Sequence, residues 1–375
     1  MALMRIALVT ESFPPDVNGV ANSVVRVAEH LVARGHDPVV VAPATRGAAP
    51  ELPYPVVRLP SVPMPGYAAF RLGVPTRQLT ATLRTVDVVH LASPFVLGAG
   101  GLSAARSLGV PSVAVYQTDV PSYARLYRIG TEQAAWRWLR RIHNLAGRTL
   151  APSSASVAAL RGHGVQRVHL WRRGVDAGRF HPARRSAGIR RALAPGGETL
   201  VGYVGRLAHE KHVELLAGAC ALPGVRVVVV GDGPAAPALR RQLPGAVFLG
   251  ARHGAQLARI YASLDVFAHP GPYETFGQSV QEALASGVPV VAPAAGGPVD
   301  LVRPGATGLL VPPLDGGALT AAVAELAADP VRRARFGAAA RADVAARSWA
   351  AVGDELLGHY AAVTAFAALP AAVAA

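Results

Sequence analysis

Short apolar runs, each the length of one buried strand, return along this chain, and each is followed by a loop and then by a helical pattern. In the first half they fall at residues 5–11, 37–42, 86–92, 111–117, 148–152 and 168–172; in the second half at 199–206, 225–230, 247–250, 265–269 and 289–293. A strand that is apolar throughout, rather than alternately, is covered on both faces. Strands of this kind alternating with helices build a parallel sheet layered between helices, because a parallel connection needs a crossover.

The runs form two series, separated by an Arg-, Pro- and Gly-containing stretch at 182–197 that reads as an interdomain linker. At 375 residues the chain can support a core in each half. The expected fold is therefore α/β: a Rossmann-like first domain over 1–182, a second over 183–347, the two facing across a cleft, and a helical tail over 348–375 packing back on the first domain. In open parallel sheets ligands bind beyond the carboxyl ends of the strands. The polar residues of note fall there repeatedly.

One such stretch is 269–282, where the loop after a strand carries Glu274 and leads through Thr275, Phe276 and Gly277 into a helix bearing Glu282. Thr275 can cap that helix, whose first N–H groups attract anions. At about 1.5 Å of rise per residue the two carboxylates lie on the order of 10 Å apart. A carboxylate, an anion hole and a second carboxylate suit a nucleotide sugar. Beyond another strand stand Arg206 and Lys211, two cations able to neutralise a diphosphate leaving group. Of 37 Lys and Arg residues only Lys211 is lysine, as a site needing a compact ammonium would explain. In the first half, Gly19 opens a helix after the first strand in phosphate-binding grammar. There is no Gly-x-Gly-x-x-Gly fingerprint, no phosphate loop, no Asp-x-Asp and no His/Cys ligand cluster, so dinucleotide, P-loop and metal-dependent chemistry lack their parts.

The single cysteine, Cys220, cannot form an internal disulfide, the first apolar run is too short for a signal peptide, and no run of 18 or more apolar residues could span a bilayer. The alanine-rich tail after Tyr360 is broken by Pro370. A cytoplasmic location is expected. The net charge of +14 is uneven: residues 1–195 carry 24 Arg against 9 acidic residues, and residues 196–375 carry 13 Lys and Arg against 14. A basic first half suits an anionic membrane, an acidic substrate or nucleic acid, although a general preference for arginine would produce it too. The segment 135–143 sets Trp136, Leu139 and His143 at helical spacing among Arg137, Arg140 and Arg141, a mixture that fits both a membrane headgroup layer and a helix with tryptophans in the core.

The set Gly205-Arg206-Leu-Ala-x-Glu-Lys211, Gly231-Asp-Gly233 and Glu274-x7-Glu282 resembles the retaining glycosyltransferases of family 4, with their two-domain GT-B fold. Residues 11–20, 90–94, 115–121 and 294–298 resemble, within that family, actinobacterial GDP-mannose-dependent α-mannosyltransferases acting on glycolipids such as glucuronosyl diacylglycerol. The resemblance implies that Arg206 and Lys211 hold the donor diphosphate with Gly19, that Glu274 binds the donor sugar beside Phe276 and Gly277, that Glu282 binds the ribose, and that Gly250 and Arg252 lie near the base. Many members have a histidine where this chain has Gln117, which can donate and accept hydrogen bonds but cannot carry a proton at neutral pH. Asp119 and Tyr123 are acceptor-side candidates, Asp119 being equally suited to capping a turn.

The expected function is transfer of mannose from GDP-mannose to a membrane glycolipid by a peripheral enzyme on the inner face of the membrane, without a metal and with no nucleic-acid partner. Transfer from UDP-glucose to a soluble acceptor is the alternative within the class. A non-catalytic nucleotide-sugar or nucleic-acid binder is the alternative outside it, and the joint presence of Arg206, Lys211, Glu274 and Glu282 argues against it.

Overall fold

The computed structural model describes residues 3–16, 18–45, 51–64, 67–127 and 130–367. The tail beyond Ala367, with Pro370, lies outside them, as do Val17 and the pair 128–129. Two compact units are present, Met1–Arg172 with Trp349–Ala375, and Arg173–Ser348.

The first unit is built on strands β1 (Arg5–Val9), β2 (Asp37–Pro43), β3 (Val56–Leu59), β4 (Ser61–Met64), β5 (Tyr67–Gly73), β6 (Val88–Leu91), β7 (Ser112–Val115), β8 (Arg148–Ala151) and β9 (Val168–Leu170). Seven form one sheet in the order β3-β2-β1-β6-β7-β8-β9, with every neighbouring pair parallel. The order reverses beside β1, which makes a crevice at the carboxyl ends of β1 and β6. Ile6, Ala7, Leu8 and Val9 are all fully buried, as a strand covered on both faces requires. Strands β3 to β5 were not evident in the sequence pattern; β4 and β5 form an antiparallel hairpin after β3.

The last helix, Trp349–Ala367, belongs to this unit. It buries Val352, Leu356, Tyr360 and Val363, one residue per turn, in the core that holds β1 and β7. Trp171 Nε1 donates to the Val352 carbonyl at 3.0 Å, and His90 Nδ1 meets the Tyr360 hydroxyl at 2.7 Å.

The second unit is a six-stranded parallel sheet in the order β12-β11-β10-β13-β14-β15, from β10 (Thr199–Val204), β11 (Val225–Val230), β12 (Val247–Gly250), β13 (Val266–Ala268), β14 (Val290–Pro293) and β15 (Gly308–Val311). Its order reverses between β10 and β13. Helices Gly316–Ala328 and Pro330–Val344 complete its cover.

Two expectations change here. The stretch 182–197 is not a free linker: it forms helix Ala187–Leu193, and Arg185 and Arg190 each reach Asp265 at 2.8 Å. Burial disfavours charge on Asp265, but these guanidiniums and the Leu200 N–H outweigh it and hold its carboxyl below the usual range. With those arginines in the second unit, the charge asymmetry shrinks. The first unit carries 18 Arg against 10 acidic residues and the second 19 Lys and Arg against 13, net +8 and +6. Division of the chain at residue 195 had assigned to one side arginines that serve the fold of the other.

Candidate active site

The site of the second unit lies at its switch point. β10 runs into Gly205-Arg206, a short turn at His209–Lys211 and His212 in the left-handed region at φ 47°. The loop Gly231-Asp232-Gly233 after β11 lies directly on this segment: the Leu207 N–H donates to the Asp232 carbonyl at 2.9 Å, and the Ala235 N–H to the Leu207 carbonyl at 2.9 Å. Gly231 has φ 139°, and a Cβ there would stand 1.9 Å from the Gly205 carbonyl oxygen. Glycine is thus required twice over, by conformation and by contact. The Tyr203 hydroxyl donates to the Arg206 carbonyl at 3.1 Å, and the Arg206 guanidinium pairs with the fully buried Glu210.

After β13 the chain runs His269-Pro270-Gly271-Pro272-Tyr273-Glu274 and enters helix Gln278–Ala285. Lys211 Nζ donates to Glu274 Oε1 at 2.6 Å, so the lone lysine and the first carboxylate meet. His269 Nε2 lies 3.4 Å from the same oxygen. The His269 ring is 1 % exposed and lies nearly parallel to the rings of Tyr203 and Phe267. Burial opposes charge on Glu274, but the Lys211 ammonium and then His269 outweigh it and hold the carboxyl well below the usual range. The loop Ala294-Ala-Gly-Gly-Pro298 fixes the backbone here: the Gly297 N–H donates to the Glu274 carbonyl at 2.7 Å, and a Cβ on Gly296, at φ 61°, would stand 2.4 Å from that oxygen.

Glu282 lies on the helix, faced by the Tyr261 phenol and 3.5 Å from Gln278 Nε2. Burial dominates its hydrogen bonds and pushes its carboxyl up to about 7. The two glutamates therefore differ in state: Glu274 is a paired carboxylate, whereas Glu282 is divided between acid and carboxylate at neutral pH. Thr275 is not the cap that the sequence suggested, because the helix starts one turn fraction later, with Gly277 at its N-cap in the left-handed region (φ 93°) and no side-chain cap bond. The Phe276 ring is buried in the core, so only its backbone is available to a ligand. Gly250 and Arg252 follow β12, where the Gly250 carbonyl accepts from the Gly231 N–H at 2.9 Å and Arg252 Nη1 donates to the Ala251 carbonyl at 2.9 Å.

The first unit places Gly19, Gln117, Asp119 and Tyr123 at the carboxyl ends of β1 and β7. Gly19 opens helix Gly19–Ala33, whose N-cap Asn18 accepts from the Val20 and Ala21 N–H groups at 3.0 Å. Gln117 is buried, its Nε2 donating to the Ala92 carbonyl at 3.2 Å. Asp119 caps helix Val120–Leu126 by accepting from the Ser122 N–H at 3.2 Å, and Tyr123 meets Tyr127 edge to face. Glu11, at the end of β1, accepts from the Leu97 and Gly98 N–H groups, and burial pushes its carboxyl up to about 8. Among the described residues no group of three or more His, Cys, Asp and Glu side chains could hold a metal ion.

Sequence reasoning missed His269, Tyr261, Gln278 and Arg173. Gln281 Nε2 donates to the Arg173 carbonyl at 3.1 Å and Gln278 Nε2 to that of Gly174 at 3.3 Å, which seats a buried arginine near enough to Glu274 to feel its charge. Burial pushes the Arg173 guanidinium down to about 10. The only sequence signal was the break in pattern at Gly174; nothing there marked a partner in the helix a hundred residues on.

Known proteins agree with this architecture. The structure is similar to Anabaena HepE in complex with UDP and glucose (TM-score 0.79, 23 % identity, covering 96 % of this chain and 99 % of that one) and to the sucrose-phosphate synthase of Thermosynechococcus elongatus (TM-score 0.80, 25 % identity, 96 % and 99 %). The fold is that of the GT-B glycosyltransferases. The model named Glycosyltransferase Family 4 matches residues 17–179, and that named Glycosyl transferases group 1 matches residues 186–343. GDP-mannose-dependent alpha-mannosyltransferases of Mycobacterium tuberculosis and Corynebacterium glutamicum are 53 % and 47 % identical, covering 97 % and 96 % of this chain and 98 % and 90 % of those proteins. The chain belongs to glycosyltransferase family 4.

Proposed function

We propose that the protein is a retaining α-mannosyltransferase that moves mannose from GDP-mannose to a membrane glycolipid, glucuronosyl diacylglycerol being the candidate acceptor. The observation that carries the reading is the Lys211–Glu274 contact beside Arg206 at a switch point, in a chain half identical to relatives bearing that donor in their names. Arg206 and Lys211 bind the diphosphate and stabilise the charge that grows on it. Glu274, ionised by Lys211, accepts from donor-sugar hydroxyls, and Glu282 accepts from the ribose. The acceptor hydroxyl attacks the anomeric carbon on the face from which the diphosphate departs. The bond from that carbon to phosphate oxygen breaks, the new glycosidic bond forms, and a phosphate oxygen takes the hydroxyl proton, so GDP leaves with configuration retained. Cationic side chains supply the charge that a metal supplies elsewhere, and catalysis needs no metal. Gly19, Gln117, Asp119 and Tyr123 serve the sugar and acceptor side, and the enzyme works as a peripheral protein at the cytoplasmic face.

Nucleotide release from GDP-mannose and from UDP-glucose, with and without an anionic glycolipid extract and in the presence of a chelator, tests the reading. Lipid-dependent release of GDP that survives the chelator is expected. Release from UDP-glucose alone would replace the donor, and release with a soluble sugar alone would replace the acceptor.

A further inference from the structure

Helix Glu132–His143 of the first unit divides its residues cleanly. Trp136, Leu139, Ile142 and His143 face inward, and Trp136 stacks flat on His163 with ring centroids 3.8 Å apart. This settles one tryptophan as core. The solvent face carries Arg137 and Arg141, with Arg140 one turn from Trp136 at one edge and Trp138, still 41 % exposed, at the other; all three arginines are exposed. Arg137 and Arg141 are four residues apart, so they stand one above the other, an arrangement of like charges that an isolated helix disfavours. Among the described residues none of the three arginines forms an ion pair, and Glu132, on the same helix, pairs with Arg125 instead. Arg140 and Arg141 lie in the last turn, where the helix dipole favours cations, but Arg137 lies outside it, and among the described residues none of the three has an acidic partner.

The apolar side of this face is continuous with its surroundings. Trp138 Nε1 donates to the Pro94 carbonyl at 2.8 Å, which ties the indole to the loop after β6. The loop ends at Phe95, packed edge to face on Phe70, and Val96, 44 % exposed, opens the helix Val96–Ser107 that follows. Tyr127, 43 % exposed, follows the neighbouring helix Val120–Leu126. Exposed aromatic and aliphatic groups fringed by unpaired arginines match the headgroup region of an anionic bilayer, where rings lie at the interface and guanidiniums meet phosphate. The patch lies by the carboxyl ends of β6 and β7, the end that also carries Asp119 and Tyr123.

We propose that the face formed by Arg137, Trp138 and Arg141 with Val96 and Tyr127 is the surface through which the protein docks on an anionic membrane. This rests on the glycolipid reading above and adds to it the part of the chain that meets the lipid. The net charge of the unit plays a smaller part than this local pattern. An acidic protein or a nucleic acid is less well matched, because neither accounts for the exposed indole and valine beside the charges.

Flotation of the intact protein with phosphatidylglycerol–phosphatidylcholine vesicles, and with phosphatidylcholine vesicles alone, reads the docking. The wild type is expected to float with the former at low salt and to be released by high salt. Arg137→Ala with Arg141→Ala should weaken the association about 30-fold, Trp138→Ala roughly tenfold, and Arg137→Lys with Arg141→Lys should restore it. GDP release with detergent-dispersed acceptor should stay near wild type in all three, which shows that they fold and separates docking from chemistry. Equal flotation of the double alanine variant, or wild-type flotation independent of phosphatidylglycerol, overturns the proposal whatever the assay of transfer gives. Wild-type protein that floats with neither vesicle yet releases GDP in detergent also overturns it and leaves the proposed activity standing.

Discussion

Lys211 Nζ sits 2.6 Å from Glu274 Oε1, joining residues 63 positions apart that leave the sheet from neighbouring strands. The contact does two things. It keeps Glu274 ionised where burial would neutralise it, and it fixes the ammonium at the carboxyl end of β10, where the proposed function needs it.

Lys211→Ala should lower turnover by about 10²–10³-fold, the loss typical of removing one group that stabilises transition-state charge. Lys211→Arg should not restore it, since a planar guanidinium does not reproduce the compact ammonium that meets Glu274 Oε1 at 2.6 Å. Steady-state rates with a folded-state check by circular dichroism decide this.

Glu274 should make stability depend on acid. Its native carboxyl titrates below the unfolded value of 4.5, so its contribution is present above that pH and fades as the pH falls through and below it. In urea titrations between pH 7 and pH 4, Glu274→Gln should start less stable by on the order of 1–2 kcal/mol at pH 7 and should lose less than the wild type on acidification. Parallel curves would show that the pair contributes nothing.

Glu282 has the opposite sign. With its carboxyl pushed up to about 7, the native state holds the proton more tightly than the unfolded chain; its contribution is present below about 4.5 and is gone above 7. Ribose hydroxyls donate best to the ionised form, so GDP-mannose, whose diphosphate does not titrate in this range, should bind more tightly as the pH rises from 6 to 8. Calorimetric titration should show this trend in the wild type and a flat profile in Glu282→Gln.

Gly231→Ala should impair both fold and activity. The new Cβ would press on the Gly205 carbonyl in a backbone conformation that alanine rarely adopts, at a cost of about 1–3 kcal/mol. Because the displaced segment carries Arg206, KM for the donor should rise even at temperatures where the variant stays folded. A variant with wild-type KM would show that the two loops are not coupled.

Much of this protein was legible from its residues alone. Apolar runs between helical patterns dictate parallel sheets, since only burial on both faces tolerates such strands, and β1, β10 and β13 fall inside the runs that announced them. The lone lysine, Arg206 and the Glu274–Glu282 spacing picked out a candidate site, and the structure brings Lys211 and Glu274 of that set into contact. Strands β3 and β4 were hidden: they are short, partly exposed and lack the wholly apolar signature.

What only the tertiary structure decided is which groups share a neighbourhood. Asp265 holds Arg185 and Arg190 in the second unit, and with the unit boundary at residue 172 and the last helix in the first unit the charge asymmetry of the linear count shrinks. Helix rotation sent Trp136 to the core and left Trp138 at the surface, two residues that composition cannot tell apart. Two glutamates alike in sequence acquired opposite shifts because one met Lys211 and the other met burial without a cation close enough to outweigh it. Residue identity fixes what a side chain can do, but desolvation and the nearest charge depend on distances in space, and those are set only when strands far apart in the chain are laid side by side.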